Sequence, residues 1–313
     1  MSSGCETLST SHLEDPEDTE NPEDVSTLRW HHALGVIPLD RPVVMGILNV
    51  TPDSFSDGGR FFSADDALRR ADALIAEGAD ILDVGGESTR PQGATPVDAA
   101  EEMRRVLPVI AGIRQRFPEA VVSVDTVKAE VAERALDAGA AIVNDVSAFR
   151  LDARMAPLCA RTGAGVVLMH SRGSVSDMAT FDHASYGADV AGEVIAELLP
   201  TARSAEAAGI RRASIVLDPG IGFSKRSEHS LAMLAGIPRM VDTDYPVLVG
   251  VSRKRFLGEI TGVREPVERV HGTTGANVMA LALGARIFRV HDVAVARQAL
   301  DVAWAILQHE QNG

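Results

Sequence analysis

The feature that most constrains the fold of this chain is a repeated junction, in which a helical stretch ends at glycine and an aliphatic run follows at once. Glycine just past a helix adopts the left-handed conformation that closes the helix. The runs that follow are short and rich in branched side chains, which is typical of strands buried on both faces of a parallel sheet. Four junctions carry a Gly-Ala pair: Gly78-Ala79, Gly139-Ala140, Gly163-Ala164 and Gly284-Ala285.

Eight aliphatic runs occur in all, and helical patterns separate them. Strands that alternate with helices imply right-handed crossovers and a parallel sheet. Eight such units in 313 residues favour a closed (β/α)8 TIM barrel, which needs about 250 residues, over a doubly wound open sheet. The predicted strands are 43–49, 81–84, 121–125, 141–145, 166–170, 214–218, 247–251 and 286–290.

The chain divides near residue 27. Residues 1–27 contain eight acidic side chains, Pro16 and Pro22, and almost no large apolar side chain. Such a segment cannot bury enough surface to offset its ordering entropy. We therefore predict a disordered acidic tail over 1–27 and one barrel domain over 28–313. A solvated tail without a function of its own is favoured over an arm that binds a partner. Residues 28–42 are expected to form a short cover or hairpin before the first strand.

The composition argues against several functional classes. The net charge of −14 disfavours broad nucleic-acid binding, which needs a basic face. Cys5 and Cys159 lie far apart without companions at metal-ligand spacing, so neither a disulfide framework nor a zinc site is expected. The sequence has no run of about 18 apolar residues and no basic, then apolar, leader. We therefore expect no membrane span and predict a cytoplasmic protein.

Every predicted strand ends in polar or charged residues, and in (β/α)8 barrels the active site is assembled at that edge. A helix cap or a structural hydrogen bond explains any single one of these residues at least as well, but eight such strand ends together favour a site. The residues are Asn49, Asp83 with Glu87, Asp125, Asn144 with Asp145, His170, Asp218, Ser252 with Arg253 and Lys254, and Arg289 with His291.

Three of these residues indicate the kind of ligand. Asp125, Asn144 and Asp218 offer hydrogen-bond acceptors and one amide from separate strands. A planar heterocycle with amino and ring N–H groups is the ligand that such a set recognises.

The last two strands, with the first, suggest a phosphate site. Lys254, Arg289 and His291 follow strands seven and eight, where barrels often bind phosphate and where arginine can make planar bidentate contacts. Asn49 offers a neutral oxygen that can share a Mg²⁺ ion with phosphate oxygens.

Several motifs then make the chain recognisable. The longest are NVTPDSFSDGG at 49–59 and GGESTRP at 85–91, in two loops rich in Gly, Ser, Thr and Pro of the kind that close over substrates. The others are SVDT at 123–126, NDVSA at 144–148, LMH at 168–170, DPGIGF at 218–223, VSRKRF at 251–256 and RVHD at 289–292. From about residue 43 to the last helix, the chain closely resembles the dihydropteroate synthases, a family of pterin-binding TIM barrels.

The resemblance implies a role for each matching residue. The implied pterin-binding residues are Asp125, Asn144, Met169, Asp218 and Lys254. The implied pyrophosphate-binding residues are Asn49, Arg90, Arg289 and His291, with Asn49 also holding the metal. The implied p-aminobenzoate-binding residues are Thr89, Arg90, Pro91, Phe223 and Ser252. Asp218, Lys254, Arg289 and His291 are expected to act in catalysis, and Asp53 and Phe55 lie in the first mobile loop.

The resemblance also implies a reaction and its partners. The family condenses 6-hydroxymethyl-7,8-dihydropterin pyrophosphate with p-aminobenzoate to give 7,8-dihydropteroate and pyrophosphate in folate biosynthesis, with Mg²⁺ as cofactor. Its reaction looks dissociative, with pyrophosphate leaving before the arylamine attacks. Small-molecule substrates and a homodimer are therefore expected, with no nucleic-acid or membrane partner.

Two other functions stay open at this point. A methyltransferase-like pterin barrel would share the Asp and Asn residues but would not need the SRK and RVH strand ends that are present here. A non-catalytic paralogue would be expected to have eroded loop motifs, whereas Asn49, Thr89, Arg90 and Pro91 are intact. One departure from the family pattern is Ser224, which stands where glycine is frequent.

Overall fold

The computed structural model describes residues 28–51, 64–87 and 97–311. The predicted acidic tail over 1–27 lies outside these residues and stays a prediction. The same holds for five predicted site residues in the two long loops, which are Asp53, Phe55, Thr89, Arg90 and Pro91.

An antiparallel hairpin precedes the barrel, as the sequence predicts for residues 28–42. It consists of β1 (Arg29–His32) and β2 (Gly35–Pro38). Trp30 is fully buried and donates its indole N–H to the carbonyl of Ser214 at 3.0 Å. A Cβ atom on Gly165 would lie 3.0 Å from the carbonyl oxygen of His31, so this glycine lets the hairpin approach the barrel wall.

Eight parallel strands follow and confirm the predicted (β/α)8 barrel. They are β3 (Val43–Asn49), β4 (Ile81–Gly85), β5 (Val121–Asp125), β6 (Ile142–Asp145), β7 (Gly165–Met169), β8 (Ile215–Asp218), β9 (Leu248–Val249) and β10 (Ile287–Val290). The pairing order is β8-β7-β6-β5-β4-β3-β10-β9. A parallel bridge between Leu217 and Val247 joins the two end strands and closes the barrel.

The seventh barrel strand is shorter than the sequence predicts. The sequence predicts a strand over 247–251, whereas β9 covers Leu248–Val249 alone. The chain turns early because the N–H of Lys254 bonds back to the carbonyl of Val251 at 3.2 Å, which takes that residue out of the sheet.

Ten α-helices of the described residues surround the strands. They are α1 (Ala64–Ala76), α2 (Ala99–Arg116), α3 (Ala129–Asp137), α4 (Met155–Thr162), α5 (Val190–Ala207), α6 (Ser227–Ala235), α7 (Ile237–Val241), α8 (Arg255–Thr261), α9 (Val270–Ala282) and α10 (Val293–Gln311). The glycines of all four Gly-Ala junctions have positive φ, between 66° and 106°, as helix-closing glycines require. No helix in this part of the chain has the length and apolar character needed to cross a membrane.

The apolar side chains form two main layers, which leave polar residues at one end of the barrel. Val44 and Leu82 belong to the larger cluster, which also includes side chains of the surrounding helices. Val43, Met45 and Ile81 pack with Trp30 in a second cluster built from the beginnings of the strands. The amino end of the barrel is therefore filled and covered, and the carboxyl end is left for the polar strand ends.

Candidate active site

A charged network joins four strands in the carboxyl half of the barrel. Arg289 of β10 donates from Nε to Asp83 of β4 and from Nη2 to Asp125 of β5, each at 2.6 Å. Asn144 of β6 donates its amide to the same Asp83 oxygen at 3.1 Å. One guanidinium thus holds two carboxylates through Nε and Nη2. Since arginine has five N–H donors, its Nη1, which bonds to no other residue that the structure describes, can meet an anion.

Burial shapes the ionisation of this network. It raises the pKa of Asp125, and the nearby Asp83 carboxylate adds to this effect, whereas the Arg289 guanidinium works against it. Burial also works to lower the pKa of Arg289, but the charges of Asp83 and Asp125 outweigh it and raise that pKa. The guanidinium therefore stays charged, and burial makes the ionised form of Asp125 less favourable than it is in water.

Asp218 ends β8, which is two strands away from the β10 strand of Arg289 around the barrel. Its side chain is buried, and its Oδ1 accepts the N–H of Gly220 at 2.7 Å. The pKa of Asp218 is raised, because the effect of burial exceeds the opposing effect of the charges of Lys254 and Arg289. This carboxylate is therefore a desolvated acceptor between two cations, which suits a ligand that brings its own N–H donors.

Lys254 lies over the loop that follows Asp218. Its ammonium donates to the carbonyl of Ile221 and lies 4.6 Å from the centre of the Phe223 ring. A Cβ atom on Gly222 would come within 3.1 Å of the Lys254 side chain, so the glycine makes room for the lysine. Burial lowers the pKa of Lys254 to about 8.

Met169 and Phe223 provide the apolar surface of the site. Met169 ends β7 and packs with Val127, Val146 and Met178 in a small cluster that Phe223 borders. This cluster is separate from the two main layers of the core, and it stands beside the polar strand ends. A flat ring placed there would have apolar contacts on its face and hydrogen-bonding groups at its edge.

Ser252 and His291 connect the last two strand ends. The hydroxyl of Ser252 and the Nδ1 of His291 are 2.9 Å apart, and the His291 N–H donates to the same hydroxyl at 3.2 Å. Beside them, Arg253 pairs with Asp292 at 2.5 Å. The two contacts with Ser252 fix the orientation of the His291 ring, the predicted pyrophosphate-binding histidine.

Asn49 ends β3 beside the charged network. A Cβ atom on Gly85 would lie 3.8 Å from Asn49 Oδ1 and 3.5 Å from Asp125 Cβ, so the side chains of Asn49 and Asp125 lie on either side of this glycine. Within residues 28–51, 64–87 and 97–311, no group of three or more His, Cys, Asp or Glu side chains is arranged to hold a metal. Any cation bound at Asn49 would thus need ligands from outside this set, such as water or phosphate oxygens.

The structure brings together most of the predicted site residues that it describes. It also gives a role to Asp83, which the sequence marks only as a polar strand end, and it adds Lys225. Asp83 lies inside an aliphatic run, and a lone carboxylate in a doubly buried strand signals a paired charge. Lys225, which is 1% exposed, follows the DPGIGF motif without any local pattern that marks it as buried.

Comparisons with known proteins agree with this geometry. Residues 45–291 match the family described as pterin binding enzyme. The dihydropteroate synthase of Mycobacterium leprae is 46% identical over 84% of this chain and 93% of its own length. A structure of Xanthomonas albilineans dihydropteroate synthase with 4-aminobenzoic acid superposes with a TM-score of 0.83, at 43% identity, over 90% of this chain and 99% of that one. A second structure of that enzyme, in complex with 7,8-dihydropteroate, gives a TM-score of 0.78 at 41% identity, over 87% and 96% of the two chains.

Proposed function

Since the chain belongs to the dihydropteroate synthases of the pterin binding enzyme family, we propose that it joins 6-hydroxymethyl-7,8-dihydropterin pyrophosphate to p-aminobenzoate, giving 7,8-dihydropteroate and pyrophosphate. The observation that carries the proposal is the convergence of Asp125, Asn144, Asp218, Lys254 and Arg289 at one end of the barrel. These residue types suit a pterin ring whose side chain ends in pyrophosphate. A relative of 43% identity is known with 4-aminobenzoic acid, which supports the second substrate.

The pterin is proposed to lie between Asp218 and the Asp125–Asn144 side of the barrel. Asp218 would accept hydrogen bonds from the amino and ring N–H groups, and Asn144 and Asp125 would meet the other edge. Met169 would pack against the ring face. Because burial has removed water from Asp218, its carboxylate would also favour a ring that gains positive charge as pyrophosphate leaves.

Departure of pyrophosphate is proposed to depend on Arg289 and His291. The guanidinium of Arg289 keeps N–H groups beyond those bound to Asp83 and Asp125, and His291 is oriented by Ser252. Donors that are fixed before the reaction stabilise developing negative charge without reorganisation. The arylamine would then attack from the side of Phe223 and Ser252, where Thr89, Arg90 and Pro91 of the second loop are proposed to complete the subsite.

Mg²⁺ is the proposed cofactor, and the residues present fit it. Asn49 supplies an oxygen at the strand end beside Asp125, and magnesium typically takes one or two protein oxygens together with water and substrate phosphates. When bound, the ion would neutralise charge on the pyrophosphate. The first loop, with Asp53 and Phe55, is proposed to close over this end.

We further propose a cytoplasmic homodimer. Met279 of α9 and Val302 and Ile306 of α10 are each more than half exposed, and large exposed apolar surfaces typically mark interaction sites. A second copy that covers this face would remove it from water. Sedimentation should give a dimer, and the variant Val302→Glu/Ile306→Glu should give monomers if this face forms the interface.

In a reducing cytoplasm the buried thiol of Cys159 stays free.

A direct assay tests the proposed reaction. The purified protein is incubated with the pterin pyrophosphate, p-aminobenzoate and Mg²⁺, and dihydropteroate and pyrophosphate are measured. Product should require all three components, and Asp218→Asn should lower kcat/KM by about 100-fold, as expected when a charged transition-state contact is lost. Asp137→Asn, on the exposed face of α3, is the matched control. Pterin binding without product would favour a methyltransferase-like or non-catalytic pterin barrel instead.

A further inference from the structure

Lys225 is a charged side chain that the barrel buries almost completely, with 1% exposed. Its Nζ lies 2.8 Å from His170 Nδ1 and donates to the carbonyls of Gly220 and Phe223, each at 3.2 Å. Burial lowers the pKa of Lys225 to about 7, and the three acceptors match in number the three N–H donors of its ammonium form. Burying a charge is costly unless it is paired or hydrogen-bonded, and here two of the three hydrogen bonds go to carbonyls of one loop.

That loop, residues 219–224, connects two residues of the proposed site. At one end, the N–H of Gly220 donates to Asp218 at 2.7 Å. At the other end, Phe223 lies under the ammonium of Lys254. Ser224 has φ of 48°, in the left-handed region that side chains rarely adopt. The loop conformation therefore needs contacts that hold it, and the buried Lys225 donates hydrogen bonds to two of its carbonyls.

His170 links Lys225 to a helix on the barrel wall. Burial lowers the pKa of His170 to about 4, and the charge of Lys225 adds to this effect, so the ring is neutral near pH 7. Its Nε2 lies 3.0 Å from Glu197 of α5, and Arg172 also binds that carboxylate. The neutral ring must then donate from Nε2 to Glu197 and accept at Nδ1 from Lys225.

We propose that Lys225 is a positioning residue for the p-aminobenzoate subsite, acting through the loop 219–224. The relay from Glu197 through His170 orients the Lys225 ammonium, and the ammonium fixes the carbonyls of Gly220 and Phe223. The ring of Phe223 is thereby held where the arylamine binds. This inference rests on the proposed function for its substrate. The tether, by which we mean the hydrogen bonds from Lys225 to the carbonyls of Gly220 and Phe223, depends on the geometry alone.

Amide hydrogen exchange of the segment 219–224 tests the tether, and steady-state kinetics test its consequence. Lys225→Met keeps the length of the side chain but removes all three donors. It should speed exchange of the Gly220 and Phe223 amides, and it should raise the KM for p-aminobenzoate about tenfold, as expected for a lost charged hydrogen bond, with a smaller change in the KM for the pterin. Lys128→Met removes a lysine that pairs elsewhere, with Glu87 and Glu102, and should leave exchange of the segment unchanged.

Two variants of His170 separate the positioning role from simple packing. His170→Asn keeps an acceptor near the place of Nδ1 and should preserve exchange protection of the loop. His170→Gln places its amide near the position of Nε2, where it can donate to Glu197, but leaves no acceptor near the position of Nδ1, and it should behave in part like Lys225→Met. Lys225→Met with a lower Tm but unchanged loop exchange and unchanged KM would overturn the proposal. If the wild-type protein makes no dihydropteroate, the proposed function fails, while the exchange comparison still decides whether Lys225 holds the loop.

Discussion

Arg289 and Asp83 lie 2.6 Å apart although 206 residues separate them in the chain. Their strands, β10 and β4, are not neighbours in the sheet, because β3 runs between them. The ion pair therefore reaches across one strand inside the barrel, and Asp125 extends it to β5. The network that we propose to bind substrate thus also joins the last barrel strand to the second and third barrel strands.

Asp83→Asn should cost stability as well as activity. The substitution keeps the size of the side chain but leaves Arg289 with one carboxylate in a buried site, and breaking a buried pair costs roughly 3 kcal/mol. Urea denaturation measures the change in the free energy of unfolding. Glu133→Gln breaks an exposed pair with Arg161 and should have almost no effect. Equal stability of Asp83→Asn and wild type would show that Asp125 alone satisfies the arginine.

The hairpin ahead of the barrel should contribute a large part of the free energy of unfolding of the protein. Trp30 is fully buried against the beginnings of the strands and bonds to the Ser214 carbonyl. Trp30→Ala should therefore lower the free energy of unfolding by about 3–5 kcal/mol. Leu34→Ala, at a residue of the same hairpin that is more than half exposed, should change it little. If the two variants unfold at the same urea concentration, the hairpin is not part of the cooperative core.

Ser224 combines a strained backbone with a well-bonded side chain. Its φ is 48°, and its hydroxyl contacts the carbonyls of Arg172 and Met178 at 2.8 and 3.0 Å. Ser224→Ala keeps the strain and loses these contacts, so it should be destabilising by roughly 1–2 kcal/mol. Ser224→Gly loses the same contacts but relieves the strain, and it should be more stable than Ser224→Ala by about 1 kcal/mol. The reverse order in thermal unfolding would refute this account.

Local patterns in the sequence predict the fold well, and they place many of the polar residues at the edge of the barrel where the structure has them. The Gly-Ala junctions marked helix ends because glycine is favoured at positive φ, and all four glycines adopt it. The aliphatic runs marked the strands because both faces of a barrel strand are buried. Strand ends such as Asp218 and Arg289 could be assigned to one edge because parallel strands end together.

Contacts between distant residues were not predictable from those patterns. The partner of Arg289 in β4 depends on the barrel closing, and the sequence motif alone suggested a phosphate site there. No local pattern in the sequence distinguishes Lys225 from an ordinary loop lysine, since one of its hydrogen-bond partners, His170, is 55 residues away. The strand 247–251 was predicted too long because a turn bond to Lys254, and not side-chain character, ends it.

The last prediction concerns pH and Lys254, whose pKa burial lowers to about 8 from 10.5. Below pH 8 the ammonium is present in both the folded and unfolded protein, so the folded state bears the full cost of burying it. Between about pH 8 and 10.5 the folded protein releases this proton while the unfolded chain keeps it. The linkage relation then requires the contribution of Lys254 to stability to rise with pH across that window. The proposed activity should change in the opposite direction, because the charge that faces Asp218 is lost.

Comparison with Lys254→Met isolates this effect, since Lys225 and the other titrating groups are present in both proteins. The difference in the free energy of unfolding, wild type minus variant, should increase from pH 8 to pH 10.5 in urea denaturation. Over the same range, kcat/KM of the wild type should fall with an apparent pKa near 8. The variant should be weakly active, and its pH profile should lack this alkaline limb. A flat stability difference would mean that solvent reaches the ammonium. An alkaline limb that persists in Lys254→Met would assign the activity loss to another group.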